Sequence, residues 1–355
     1  MRIELQLSHK LVPIQIKEGL FAEIYKWIPK VYTGKKIFLL CDENLDSLYA
    51  KSLEMQLKEH GYRVSKMVIL AGESVKNLSM MEEIYSELLR HEFTRSDLML
   101  LLGGGVVGDL GGFVAATYLR GIRYIQLPTT LLSQVDSSIG GKVAVNLKEG
   151  KNLAGSFYHP EAIWMDPLLL KTLPPKEFRS GMGEVIKYGC IGDEKLFGLV
   201  EQYYLEGVHD ESLLKEIIGR SVVQKVNVVA ADEKEGGQRK LLNFGHTLGH
   251  AIEKTLGYGQ ISHGEAVAIG MSHFTRISQK LGQTSGQSVE RLNRLLDVVG
   301  LPHEIPIGLK KEALLEAIFH DKKMSGNSIS IILLKKIGHA FIKEIYRDDI
   351  EKYLE

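Results

Sequence analysis

The chain has almost no cysteine. Only Cys41 and Cys190 occur among its 355 residues, and no Cys-x-x-Cys. Two scattered thiols support neither a disulfide framework nor a cysteine-based zinc finger, and so few fit a reducing compartment. An excess of charge of either sign is missing too, since Lys+Arg and Asp+Glu number 44 each. Wholesale binding to nucleic acid usually leaves a basic footprint, so nucleic acid is not an expected partner. No apolar run reaches the ~20 residues of a membrane span. The start, Met1-Arg2-Ile3-Glu4-Leu5-Gln6, alternates like a strand and lacks the apolar core of a signal peptide. Internal repeats and low-complexity tracts are absent as well. Together these absences predict a cytoplasmic protein with no membrane partner.

The length gives a prior of about two domains. In the first half, apolar runs at Lys36–Cys41, Arg63–Leu70, Leu98–Leu102 and Ile122–Leu127 read as strands, with helical spacing over Leu45–His60 and Leu78–His91. Strands alternating with helices predict a parallel sheet covered on both faces. Ligands of such sheets bind beyond the carboxyl ends of the strands, so the loops after Cys41, Leu70, Leu102 and Leu127 are the ones to watch. From Lys176 to about His320 the pattern is helical, and Ser328–Leu334 with Ala340–Ile345 reads as a closing strand pair. Pro174-Pro175 breaks the chain between the two regimes. The expected division is an α/β domain over 1–175 and a mainly helical domain over 176–355.

Three distant residues stand out. Glu184, His246 and His263 each lie in a helical stretch with glycine close by. One carboxylate and two imidazoles make a zinc site with an open coordination position, and an open position polarises a substrate oxygen. His246 and His250 share a helix face at i, i+4. Thr247 stands where the peptidase pattern H-E-x-x-H has its glutamate, which argues against a peptidase. Ser262-His263-Gly264-Glu265 reads as a capping box. The box explains Ser262 and Glu265 without a metal, but not His263.

A second signal is Gly103-Gly104-Gly105-Val106-Val107-Gly108-Asp109, which follows a strand and opens a helix. Such glycines let backbone approach a pyrophosphate at a helix N-terminus, or simply allow close helix–sheet packing. No acidic residue lies between Leu110 and Val135 to complete a Rossmann fingerprint. Asp42 and Glu43 offer ribose contacts, and Asn77 or Ser74 offers a helix cap. Lys142, Lys151 and Lys322-Lys323 lie in loops, most of them flanked by glycine. With Lys187, Lys225 and Arg239 they would suit a substrate carrying phosphate and carboxylate if they converge.

At these residues the chain resembles 3-dehydroquinate synthases, members of the sugar-phosphate cyclases whose fold is related to metal-dependent polyol dehydrogenases. The matching stretches include Gly72–Lys76, Gly103–Gly112, Leu127–Ser138, Gly140–Lys142, Gly150–Asn152, Gly183–Gly189, Asn243–His250, His263–Glu265 and Asp321–Lys323. The resemblance implies an NAD-binding α/β domain, a helical domain and an active site between them. It implies conversion of 3-deoxy-D-arabino-heptulosonate 7-phosphate to 3-dehydroquinate on the shikimate route. The steps would be transient oxidation at C5, phosphate elimination, re-reduction and an intramolecular aldol closure, with the substrate's own phosphate taking the proton.

Carried over, Glu184, His246 and His263 would ligate zinc or cobalt. Asp42, Gly72, Glu73, Lys76, Gly105, Val106, Asp109, Thr129, Thr130, Leu132, Lys142, Lys151, Leu169, Leu170, Lys171 and Thr172 would contact NAD. Lys142, Asn152, Lys322 and His250 would surround the phosphate, and Lys225 and Arg239 would meet the carboxylate. Asp136, Lys151, Lys187 and Asn243 would complete the site. Arg120 would reach in from a neighbouring subunit, which implies a homodimer. Val143 and His159 depart from the pattern, where many relatives carry Thr and Gln.

Overall fold

Residues 1–257, 259–319, 324–325 and 328–354 are described by the computed structural model. They group into two units, Met1–Leu173 and Pro174–Glu355. The first holds strands β1 (Arg2–Gln6), β2 (Leu11–Ile16), β3 (Lys36–Asp42), β4 (Arg63–Ile69), β5 (Leu98–Gly103), β6 (Arg123–Pro128), β7 (Lys142–Leu147), β8 (Gly150–Phe157) and β9 (Ala162–Met165). Its α-helices are α1 (Ile24–Trp27), α2 (Glu43–Leu45), α3 (Lys51–Glu59), α4 (Leu78–Arg90) and α5 (Gly105–Thr117).

Seven strands form one sheet in the order β1-β2-β9-β6-β5-β3-β4. From β2 to β4 every pairing is parallel. The strand β3 shows why. Its side chains alternate between two cores, with Ile37, Leu39 and Cys41 packed with Leu53 and Leu57 of α3. Phe38 and Leu40 face α4 and α5 through Ile84, Leu88, Leu110 and Val114. A strand buried on both faces reads as an unbroken apolar run, the mark of a covered parallel sheet.

The sheet is parallel as expected except at one edge, where β1 and β2 pair antiparallel. Pro13 lies inside β2, and proline demotes a run when strands are read from sequence. The hairpin β7–β8 forms a separate two-stranded sheet. Both thiols are buried, and burial pushes that of Cys41 up to about 12.

The second unit holds α6 (Pro175–Gly192), α7 (Glu194–Leu205), α8 (Glu211–Ala231), α9 (His246–Leu256), α10 (His263–Lys280), α11 (Gly286–Val299) and α12 (Lys311–Phe319). A three-stranded antiparallel sheet of β10 (Met324–Ser325), β11 (Ser328–Lys336) and β12 (His339–Tyr346) closes it. The helix α10 is buried almost all round, which marks a central helix. It packs against α6, α9, α11 and β11.

Glycines set how closely two of these helices approach α10. A Cβ on Gly264 would lie 1.9 Å from the Ser180 carbonyl oxygen of α6. One on Gly270 would lie 1.9 Å from the carbonyl oxygen of Gly245, the N-cap of α9. Among the described residues, no helix is long and apolar enough to cross a membrane.

Candidate active site

The close crossing of α6 and α10 carries Glu184 to the first turn of α10. Glu184 is fully buried. Its Oε1 lies 3.3 Å from His263 Nε2 and 3.4 Å from His246 Nε2. The ligand atoms of all three residues fall within 4.8 Å of one another. The capping box at Ser262 and Glu265 is formed, so the start of α10 is fixed and His263 with it.

Each imidazole is also tied at its other nitrogen. His246 Nδ1 lies 3.1 Å from the Phe244 carbonyl oxygen, and His263 Nδ1 lies 3.2 Å from Glu253 Oε2. An Nδ1–H that donates there leaves the Nε2 lone pair toward Glu184, the arrangement that metal-ligating histidines use. Burial works against charge on His263, yet hydrogen bonds to Glu184 and Glu253 outweigh it and raise its pKa to about 10. Positive charge is thus favoured here, and a metal ion can replace the proton. The donor set fits a divalent metal with an open coordination position.

Glu253 was not among the residues singled out from sequence. The signal was available: it follows His246 by seven positions and His250 by three on α9, so all three share one face. With His250 and His263 it forms a second, overlapping donor group. The His250 ring centroid lies 5.3 Å from that of His246.

The buried Lys187, one helical turn beyond Glu184, pairs with its Oε2. Lys225 on α8 and Arg239 are buried as well, with 7% and 1% of their surfaces exposed. Arg239 donates to the Glu233 carbonyl, and the Asp232 carboxylate accepts the N–H groups of Gly236, Gly237 and Arg239. Asn243 Nδ2 donates to Glu235 Oε1 at 2.8 Å. Lys322, with Asp321 and Lys323, lies outside the described residues.

In the first unit the chain steps from β3 out to β4, then back past β3 to β5, so the winding reverses between β3 and β5. Such switch points are where open α/β sheets take ligands. Asp42 ends β3 and accepts the Asn44 N–H. Gly103 ends β5, and Gly104 is the N-cap of α5, with no side-chain cap. The first N–H groups of α5 therefore suit an anion such as pyrophosphate.

Close packing accounts for the later glycines. A Cβ on Gly108 would meet Gln126 at 2.9 Å, and one on Gly112 would meet Val143 at 2.4 Å. Val143, one of the two departures, is thus a core residue packed on α5. The other, His159, packs its ring where a Cβ on Gly141 would fall, 2.7 Å away.

Lys76 is buried and its Nζ donates to Asp109 Oδ2 at 2.5 Å. Asn77 rather than Ser74 caps α4. After β6, the Thr129 N–H reaches the Gly103 carbonyl at 3.0 Å, while Thr130 and Ser133 bond each other. Leu132 and Asp136 lie on the turn of helix that follows. Leu169 and Leu170 are buried, whereas Lys171 and Thr172 are exposed, with Thr172 Oγ1 2.7 Å from Tyr49 Oη. Lys142 opens β7, and Lys151 and Asn152 open β8. Arg120 is exposed beyond α5 with φ 68°.

Comparison with known proteins decides the family. Residues 66–180 match the model of the 3-dehydroquinate synthase N-terminal domain, and residues 181–324 match that of its C-terminal domain. The chain belongs to the 3-dehydroquinate synthase family. It is 47% identical to 3-dehydroquinate synthase of Clostridium acetobutylicum, an alignment covering 99% of this chain and 98% of the relative. The protein is therefore an enzyme, a phosphate-eliminating cyclase. A solved structure of 2-epi-5-epi-valiolone synthase from Streptomyces hygroscopicus, with NAD+ and Zn2+ bound, shares the fold. Its TM-score is 0.89 at 25% identity, over 98% of this chain and 97% of that one. A 2-deoxy-scyllo-inosose synthase complexed with carbaglucose-6-phosphate, NAD+ and Co2+ superposes at TM-score 0.88 and 24% identity. That match covers 100% of this chain and 99% of the other.

Proposed function

We propose that the protein converts 3-deoxy-D-arabino-heptulosonate 7-phosphate to 3-dehydroquinate and phosphate, in the cytoplasm, with the site residues expected from its sequence. The observation that carries this reading is the convergence of Glu184 with the two imidazole Nε2 atoms at 3.3 and 3.4 Å. Glu184, His246 and His263 would hold the divalent ion, and zinc and cobalt both suit such a donor set. The α5 N-terminus, with Asp42, Glu73, Lys76, Thr129 and Thr130, would hold NAD. When bound, NAD+ would supply reversible hydride removal and the divalent ion would polarise the substrate hydroxyls.

The chain's own groups handle charge. Lys187 pairs with the Glu184 carboxylate. Lys142, Asn152, His250 and Lys322 stabilise the phosphate as it leaves, since charge that develops in the transition state is what fixed donors serve best. Lys225 and Arg239 hold the substrate carboxylate. A substrate carboxylate suits these two buried cations better than a neutral polyol does. They also weigh against a sugar phosphate that lacks the carboxylate.

The test follows phosphate release and NADH absorbance together, with NAD+ and zinc or cobalt present. One phosphate per heptulosonate consumed, no lasting NADH and loss of turnover with a chelator is the expected result. Lasting NADH from a simple polyol, with no phosphate from the heptulosonate, would move the protein to the dehydrogenases.

The proposal extends to a homodimer in which Arg120 serves the partner's site. Its exposure and its left-handed backbone, which non-glycine residues seldom adopt, support a dedicated placement. Arg120→Ala and His263→Ala should each be inactive alone, yet mixed they should regain up to about a quarter of wild-type activity from random pairing. Monomers in sedimentation, or a mixture as inactive as its components, would remove the shared-site idea.

A further inference from the structure

Asn146 was not singled out from sequence, yet it joins two loops assigned different tasks above. The ladder between β7 and β8 shifts register there, running Val145↔Ala154 and then Leu147↔Gly150. Released from the ladder, Asn146 bonds elsewhere. Its backbone N–H donates to the Lys76 carbonyl at 2.8 Å. Its Nδ2 donates to Glu73 Oε1 at 2.8 Å, and its Oδ1 accepts the Asn152 N–H at 2.9 Å. Chemistry fixes the orientation of this amide. A carboxylate can meet only the NH2 side, and a backbone N–H only the oxygen. Asn152 itself sits at φ 56°, a left-handed conformation that needs local support outside glycine.

We propose that Asn146 is a positioning residue that sets the Glu73 carboxylate for the cofactor and the Lys151–Asn152 segment of β8 for the substrate phosphate from one side chain. The inference rests on the functional reading above. One amide is tied to both segments: its NH2 holds the Glu73 carboxylate, and its oxygen holds the Asn152 backbone. A group that must be held within a fraction of an ångström is commonly fixed in this way by a neighbour that touches no ligand.

The two halves of the amide can be separated by substitution. Asn146→Ala removes both bonds. Asn146→Asp keeps an acceptor for the Asn152 N–H but loses the donor to Glu73 and sets a like charge against it. NAD+ affinity is read by calorimetric titration, and KM and kcat for the heptulosonate are read separately. The expected result is a rise of about tenfold in both the NAD+ dissociation constant and KM for Asn146→Ala. For Asn146→Asp the NAD+ constant should rise at least as far, with KM changed less than threefold. A purely structural role would lower the melting temperature of both variants without that split. Either constant within twofold of wild type in folded Asn146→Ala, an NAD+ constant within twofold of wild type in folded Asn146→Asp, or losses equal on both sides in Asn146→Asp, would overturn the proposal. If the wild-type protein bound no NAD+ at all, the functional reading itself would fall, and the inference with it.

Discussion

Glu184→Gln should lose its metal and its turnover together while remaining folded. The carboxylate is fully buried, lies 3.3 and 3.4 Å from two imidazole Nε2 atoms, and pairs with the buried Lys187. Glutamine keeps the volume and removes the charge, so a dication faces two neutral imidazoles and a nearby ammonium. The loss in metal affinity should exceed the ~10–100-fold typical when only a supporting partner of a ligand is removed. Glu253→Gln supplies that comparison, because Glu253 touches His263 Nδ1 at 3.2 Å; its loss should fall inside the range. Metal content after dialysis, and the visible spectrum of the cobalt form, read both variants without relying on activity. Glu184→Ala is the poorer probe: like glutamine it leaves the buried Lys187 without its counter-charge, and it adds a cavity where glutamine keeps the volume. A Glu184→Gln protein that kept a full equivalent of metal would sink the ligand assignment.

β3 and β5 were legible because a strand buried on both faces leaves an unbroken apolar run, Ile37–Cys41 and Leu98–Leu102. The helical second unit was legible from its period. β2 was hidden by Pro13, β9 by being only four residues long, and β8 by its exposed, polar-rich side chains.

The candidate site divides in the same way. Glu184, His246 and His263 stand out by residue type, and the structure brings them together. Their supports do not stand out. A buried glutamate on a helix reads as an ordinary face residue, so Glu253 was passed over despite its spacing. Asn146 has no local signature at all, because its role depends on a ladder irregularity and on Glu73, 73 positions away. The glycines beside the metal residues carried a signal whose meaning only packing reveals.

That meaning yields the sharpest contrast between two identical substitutions. Gly264→Ala should destabilise the second unit and open the metal site; Gly198→Ala should do neither. At Gly264 the added carbon would lie 1.9 Å from the Ser180 carbonyl oxygen and 2.6 Å from the Ser180 Cα. These are backbone atoms, so no rotamer change relieves the clash and α6 must move away from α10. The Gly264 N–H bond to Ser180 Oγ, 3.1 Å, would go with it. Overpacking of this kind costs about 1–3 kcal/mol or more. Metal sites tolerate only about 0.2 Å in ligand distance, so the Glu184–His263 approach would not survive a shift that clears the clash.

Gly198 lies inside α7 with nothing within 4 Å of an added Cβ. Alanine there exchanges glycine's backbone entropy for helix propensity, a gain of about 0.5–1 kcal/mol. Thermal melts and metal content of the two variants should therefore move in opposite directions or, for the metal of Gly198→Ala, not at all. A Gly264→Ala protein that melts with wild type and holds its metal would mean that the crossing can slide. The distances between Glu184 and its two histidines would then have to be set by something other than the contact of α6 with α10.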